Sequence, residues 1–465
     1  MHSPSLSRIT ILLIGLVVFA SAARTVFAQS VAESLRPNSF LLAPTVTPQD
    51  DSDPSADPSP AGTTPQGRLK GLATKSGSRD RNAPRRQDLT AFKIGSKHVS
   101  ALFNGWEQGA GIGFGIELTT ADSIPGIEFR FRALTSTRLY RRLEVSAYVP
   151  KIGDDKTHFE IWASYQRRTR DSFFGMGPRS NLDDRTNFDI ESRDIEGVLS
   201  RDFTKQLQLG IYLGRQSVDN YRGKKDTEPA IDVLFSGNPN VQPITRWVPG
   251  LTKHVKFFNY GGYLAYDARN NESGLTRGAY LYGRIGGVDD IDNNVAPGYG
   301  WVEGQIDGRV YIPLGGDKTS FAFRTMADLK SPKGGSEIPF YAQASLGGRS
   351  YVRGWNSYRF RAHNLLLFSG ELRQTVYTIK EDRGADVIVF SDVGRSWGDA
   401  RSKTNVIILR NDKFGEAPWR ASFGGGFQFR VNKSVAVRID IAHSPERNLV
   451  YFSVSRGFSH PGFGL

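Results

Sequence analysis

Gly394-Arg395-Ser396-Trp397-Gly398 has the spacing in which serine hydrolases hold their nucleophile. That elbow needs a strand turning sharply into a helix. Asp399-Ala400-Arg401-Ser402-Lys403 has no helical period and reads as a loop, so hydrolase chemistry is not expected. Gly109-Ala110-Gly111-Ile112-Gly113 and Gly424-Gly425-Gly426 are glycine-rich, yet neither opens a helix, which favours close packing in strands over phosphate binding. The absence of Cys removes disulfides, thiolate catalysis and Cys-ligated zinc or iron–sulfur sites. Histidines such as His98, His254 and His443 are scattered without metal-ligand spacing. No catalytic residue, metal or cofactor is assigned, and the chain reads as a protein other than an enzyme.

The charged residues follow a different order. Ile127-Glu128-Phe129-Arg130-Phe131-Arg132 puts three charges on one face of an extended chain and three large apolar groups on the other. Val435 to Ile441 separates Val and Ile from Arg438 and Asp440, and Phe159, Ile161, Ala163 and Tyr165 alternate with His158, Glu160, Trp162, Ser164 and Gln166. A soluble sandwich would expose the charged face and bury the apolar one; a transmembrane barrel would turn the charged face to its lumen and the apolar face to lipid.

Connector lengths decide between these. Period two predicts sixteen strands, near 90–103, 109–120, 126–136, 138–150, 157–169, 186–201, 206–218, 257–269, 276–288, 299–313, 319–330, 364–378, 385–395, 419–431, 434–442 and 449–458. Connectors after even strands are short, whereas those after odd strands include 170–185, 219–256, 331–363 and 396–418. Short periplasmic turns opposite long extracellular loops mark an outer-membrane barrel. The expectation is an all-β fold, a sixteen-stranded antiparallel transmembrane β-barrel over 90–465. Length agrees, since tilted spanning strands need about 9–11 residues. Gly at 50 of 465 residues, 11 % aromatics and a slightly negative mean hydropathy of −0.38 also fit poorly with a helical membrane protein.

Ahead of the barrel, residues 1–28 read as a signal peptide. An apolar core from Ile9 to Ala23 follows His2 and Arg8, and Val26-Phe27-Ala28 gives small residues for cleavage before Gln29. A retained anchor helix is the alternative, although Arg24 cuts the run short. Residues 29–89 are a Pro/Ser-rich tail too poor in large apolar residues to order itself, expected to be disordered in the periplasm. Arg68, Lys70, Lys75, Arg79, Arg81, Arg85 and Arg86 make its second part basic, as a solvated tether or a contact for phosphate-bearing lipid or an acidic partner. The net charge of +13 would suit nucleic acid. Export makes that partner improbable and places the charge in the lumen, loops and tail.

The stretch Leu346-Gly347-Gly348-Arg349-Ser350-Tyr351-Val352-Arg353-Gly354-Trp355 lies in the long connector before the twelfth strand. It resembles the GG…VRG-aromatic motif in the sixth extracellular loop of the BamA/TamA-type outer-membrane superfamily, also called bacterial surface antigens. Ser369-Gly370-Glu371-Leu372-Arg373 is similar to that family's twelfth-strand G-E-x-R signature, and Phe390-Ser391-Asp392-Val393-Gly394 to its thirteenth-strand F-x-D-x-G. Asp267-Ala268-Arg269-Asn270 through Arg277-Gly278 resembles a periplasmic turn in which Leu275 or Thr276 stands where the family carries Pro. The resemblance is best from about Tyr260 onward.

The resemblance implies that the loop folds into the lumen, with Val352, Arg353, Gly354 and Trp355 as its motif and Arg353 paired to Glu371 and Asp392. Strand alternation agrees: Leu366, Phe368, Leu372 and Val376 outward puts Glu371 inward, and Val389 with Val393 outward does the same for Asp392. It further implies insertion or translocation of proteins at the outer membrane, with outer-membrane lipid and client proteins as partners. A separate periplasmic partner would replace the POTRA modules for which 29–89 is too short. Phe458 resembles a terminal targeting aromatic, but the chain runs on to Leu465. A passive or small-molecule pore is an alternative function, and a surface antigen or adhesin resting on 219–256 is another.

Overall fold

The computed structural model describes residues 92–95, 98–105, 112–120, 126–225, 227–238, 240–241, 246–251, 253–269, 277–292, 298–380, 383–398, 413–431 and 436–454. The expected signal at 1–28, the tail at 29–89, and Phe458 and Leu465 lie outside the described residues.

The strands are β1 (Phe92–Gly95), β2 (Val99–Gly105), β3 (Ile112–Thr119), β4 (Glu128–Ser136), β5 (Arg141–Val149), β6 (Thr157–Phe173), β7 (Thr186–Asp202), β8 (Leu207–Arg222), β9 (His254–Asp267), β10 (Gly278–Asp290), β11 (Gly300–Pro313), β12 (Thr319–Pro332), β13 (Ala344–Leu346), β14 (Phe360–Ala362), β15 (Asn364–Lys380), β16 (Arg383–Trp397), β17 (Arg420–Arg430), β18 (Ala436–His443) and β19 (Asn448–Val454). From β2 to β12 and from β15 to β19 each strand pairs antiparallel with the next. β12 pairs with β15 across the long loop, and β19 returns beside β2. The result is a sixteen-stranded antiparallel transmembrane β-barrel.

One expectation needs correction. The single strand predicted over 90–103 is two: β1 ends at Gly95, and β2 doubles back with Phe92 opposite Phe103 and Gly95 opposite Ser100. Three consecutive polar residues after a glycine, Ser96-Lys97-His98, break the alternation and favour a turn. The first barrel strand is therefore β2.

Side-chain burial follows the alternation. Ile211, Leu213, Val302, Ile306, Val389, Ile439 and Ile441 are exposed on the outer face, where lipid would cover them. Charges face inward and pair there, as Arg132 does with Glu117 at 2.6 Å and Glu144 at 3.4 Å. Period two cannot tell how far a strand runs past the bilayer. β6 and β7 have 17 residues and β8 has 16, beyond the roughly 9–11 that spanning requires.

The surplus length builds an apolar core over the extracellular mouth. Phe173 and Phe188 from β6 and β7 meet Phe340 of the 333–363 loop edge-on, at 5.2 and 5.0 Å between ring centroids. Ile231, on a single helical turn Ile231–Leu234, joins them with Phe235, Val248 and Leu251. Each fully buried phenylalanine contributes about 1.5–3 kcal/mol over its exposed state. The segment 219–256 is thus partly interior, and the mouth is covered.

Candidate functional site

The 333–363 loop turns through Phe340–Ala342 and enters the lumen as the short hairpin β13–β14, with Leu346 opposite Phe360. Its tip carries the sequence motif. Val352 and Trp355 are buried in an apolar cluster with Leu346, Phe360, Leu365 and Leu367. The Trp355 indole donates to the Ala421 carbonyl at 3.1 Å, which ties the tip to β17. Gly354 has φ +88°, a conformation costly for any residue with a Cβ. Its N–H donates to the Tyr451 hydroxyl at 2.9 Å, and its carbonyl accepts from Ser444 at 2.8 Å.

Arg353 lies where the resemblance implies. Its Nε and Nη2 both donate to Asp392 at 2.7 Å, its backbone N–H donates to the same carboxylate at 3.0 Å, and Nη1 reaches Glu371 at 2.7 Å. The guanidinium plane rests 3.5 Å from the centroid of the Phe390 ring. Glu371 also accepts from Arg373 and Arg438, and Arg438 pairs with Asp440 at 2.8 Å. Asp440 in turn lies 3.4 Å from Arg353. Three guanidinium and three carboxylate groups therefore balance inside the wall, each nearly excluded from solvent. Buried charges persist only when paired and hydrogen-bonded on several sides. A cavity of only about 20 Å³ remains beside them.

Arg438, Asp440 and Arg373 complete a cluster of which sequence reasoning assigned three members. Their inward orientation was readable from alternation, but which inward residues meet across the lumen was not. A second hold on the loop lacked any motif: Arg324 of β12 donates to the Ser350 carbonyl at 2.7 Å while its other nitrogens grip Asp307 at 3.1 and 3.0 Å. A third is Arg359, which joins Glu446 of the 444–447 turn at 2.8 Å and Ser180 of the 174–185 loop at 2.8 Å.

The glycines now have a reason. A Cβ on Gly394 would lie 2.7 Å from Leu346 Cδ1 and 2.9 Å from Val352 Cγ2, so a bare backbone lets the loop dock against β16. Gly424 and Gly426 leave room for the Phe390 ring and the Asp440 carboxylate, which is the strand packing expected of that run. Gly370 faces outward with only ordinary contacts available to a Cβ, and nothing in the structure explains it. In the turn after β9, Asp267 holds Arg269 through both oxygens at 2.9 and 2.8 Å, and the guanidinium lies 4.6 Å from the Tyr280 ring centroid.

Ser396 is a buried residue within β16, cross-strand from Leu365. His98, His254 and His443 stand apart and bond to the Thr119 carbonyl, Asp219 and Asn448 respectively. Among the described residues no cluster of acidic or His side chains has the arrangement of a metal site.

A family model described as the Omp85 superfamily domain matches residues 125–451. Among solved structures, BamA from Haemophilus ducreyi lacking POTRA domains 1-3 superposes with a TM-score of 0.55 at 16% identity, over 78% of this chain and 71% of that one. CdiB from Escherichia coli gives 0.49 at 11%, over 77% and 62%, and CdiB from Acinetobacter baumannii gives 0.43 at 14%, over 78% and 58%. This chain thus spans under two thirds of either CdiB chain. No curated protein matches the sequence. At these identities the likeness is one of fold.

Proposed function

The chain belongs to the Omp85 superfamily, and from that premise we propose that it resides in the outer membrane and inserts proteins into that membrane or moves them across it. The role is not catalytic. Its partners are outer-membrane lipid, client proteins and a separate periplasmic protein that hands clients over.

The observation that carries this reading against a passive pore is the blocked lumen. A solute channel needs a continuous water path, whereas here an apolar core covers the mouth and a loop held by paired charges occupies part of the lumen beneath it. The surface-antigen reading loses its main support, because Ile231, Phe235, Val248 and Leu251 turn inward from the segment an adhesin would display.

The experiment pairs planar-bilayer recording with depletion in the native host. The expected result is no steady conductance from the purified protein, together with loss of a defined subset of outer-membrane or secreted proteins on depletion. Steady open channels with an unchanged protein complement would overturn the proposal in favour of a pore.

A further inference from the structure

Along β8 the outer wall is apolar, with Leu209, Ile211 and Leu213 exposed to lipid, and the next residue on that face is Arg215. Uninterrupted ladders to β7 and β9 fix its direction. Gly214 and Gln216 on either side turn to the lumenal cavity, so the Arg215 backbone borders that cavity while its exposed side chain points outward.

Two observations set its height. Eight residues separate it from Leu207 at the periplasmic start of β8, about 27 Å of strand. At a tilt of about 35–45° that is a rise of about 20 Å, near the top of an apolar band about 25 Å tall. Phe258, its cross-strand neighbour, and Tyr260 are exposed aromatics with ring centroids 5.9 Å apart. Such rings gather where hydrocarbon meets headgroups.

The charges around Arg215 are already committed. Arg193 and Lys256 lie diagonal to it, both cross-strand from Ser217. Arg193 pairs with Asp219 at 2.9 Å and with Glu191, Lys256 pairs with Asp292 at 3.0 Å, and His254 bonds to Asp219 at 2.6 Å. Asp289, beyond Phe258 in the same cross-strand row, is held by Lys333. Among the described residues, Arg215 is the member of this group whose guanidinium has no partner. Asp219, the next carboxylate on its own strand face, is four residues further up, about 13 Å along the strand. That exceeds the screening length of about 8 Å at physiological salt, so the Arg215 charge stands uncompensated beside a hydrocarbon wall.

A cation at that boundary is stable where its stem lies along apolar surface and its head meets an anion. None of the described residues supplies one, which leaves the membrane. The outward leaflet of an outer membrane is built of phosphorylated glycolipid, and a guanidinium fork matches phosphate oxygens. One step above, the Ser217 hydroxyl adds a donor, and the half-exposed Lys256 ammonium has three, enough to serve Asp292 and a second anion.

We propose that Arg215, Ser217 and Lys256 form a site on the outer wall for one phosphate of an outer-leaflet glycolipid, whose acyl chains lie along Leu213, Ile211 and Leu209. The site rests on residence in the outer membrane and not on protein insertion or translocation.

The test is native mass spectrometry of the full-length protein in an alkyl amine oxide, titrated with lipid A bearing two phosphates, with the same lipid stripped of both, and with phosphatidylglycerol. The proposal expects saturable binding of the phosphorylated lipid A, at least tenfold weaker binding of the other two, and tenfold losses in both Arg215→Gln and Lys256→Gln. Arg201→Gln is the control, since Arg201 faces outward at the periplasmic end of β7 and pairs with Asp154 at 2.9 Å; it should bind as the wild type does. Heat-modifiable migration in outer-membrane fractions verifies each variant as folded and reads residence in that membrane separately from lipid binding. Equal binding of the stripped lipid would reduce the contact to acyl chains, and equal binding of phosphatidylglycerol would reduce it to any anionic lipid; either overturns the proposal. No saturable binding, wild-type affinity in Arg215→Gln or Lys256→Gln, or an equal loss in Arg201→Gln would overturn it as well.

Discussion

Arg353 is the residue on which the loop depends most, because one guanidinium spans Asp392 and Glu371 while lying over Phe390. Breaking a well-buried pair leaves its partners uncompensated, at a cost of about 3–5 kcal/mol. The cavity beside the cluster is too small to admit much compensating water. Arg353→Ala should therefore free the loop: protease cutting within 331–363 should rise while heat-modifiable mobility shows the barrel still forming. Arg353→Lys should recover part of the protection only, since an ammonium lacks the fork that serves two carboxylates. An unchanged cleavage pattern in the Ala variant would mean that Arg324 and Arg359 hold the loop without it. How this site was readable is instructive. Glu371, Asp392, Arg438 and Asp440 all declared their inward face through alternation, and the motifs singled out the first two. Period two carries no information about height or about the opposite wall, so the arrival of Arg438 at Glu371 was hidden. The grip of Arg324 on Ser350 was hidden more deeply, because a backbone carbonyl leaves no trace in residue type.

Among the elements, the barrel strands after the first were legible because one face meets lipid, so a slip of one residue would turn charges outward. Their extracellular extensions were not, and neither was the β13–β14 hairpin, which is buried on all sides and lacks alternation. The junction after β14 adds a pH response. His363 is held down to about 4 by burial, assisted by the nearby Lys330 charge, and its Nε2 has no hydrogen-bond partner. A base with a lowered folded pKa binds more protons when unfolded. Stability is then fully present above the unfolded value of about 6.5 and is lost as pH falls towards 4. Protease resistance of 331–363 should drop across that window, and His363→Phe should flatten the drop; a wild-type profile level from pH 7 to 4 would contradict it. Tight docking of β16 against the hairpin gives another expectation. Gly394→Ala pushes a methyl into Leu346 and Val352, an overpacking cost of about 1–3 kcal/mol, and should loosen the loop as a shift in the same cleavage assay. Connector alternation gives a third. A tag after Asn240, which is exposed although its loop packs inward, should bind antibody on intact cells, and one at 381–382 should bind only after permeabilisation. Equal access at both positions would mean the topology is wrong.

At the scale of the whole molecule, the loop links two regions of the barrel. In one, β6 to β8 rise past the membrane and carry the apolar core; in the other, the last strands come round to β2. Phe340 at the base of the loop packs into the first, and its tip bonds to β15 and β16 and to Ser444 and Tyr451 beside the second. Holding the strands near the chain's end from inside, the loop acts as a brace as well as a plug. Removing it separates these roles. Excision of 336–361 with a short Gly/Ser bridge leaves the β12–β15 ladder intact, and Arg373, Arg438, Glu371, Asp392 and Asp440 then face a wet lumen in which one surplus carboxylate costs little. The excised protein should still show heat-modifiable migration and should pass steady current in planar bilayers, where the intact chain is expected to pass none. A folded excision variant that stays silent would show that the lumen is blocked elsewhere, and would remove the loop's standing as the plug.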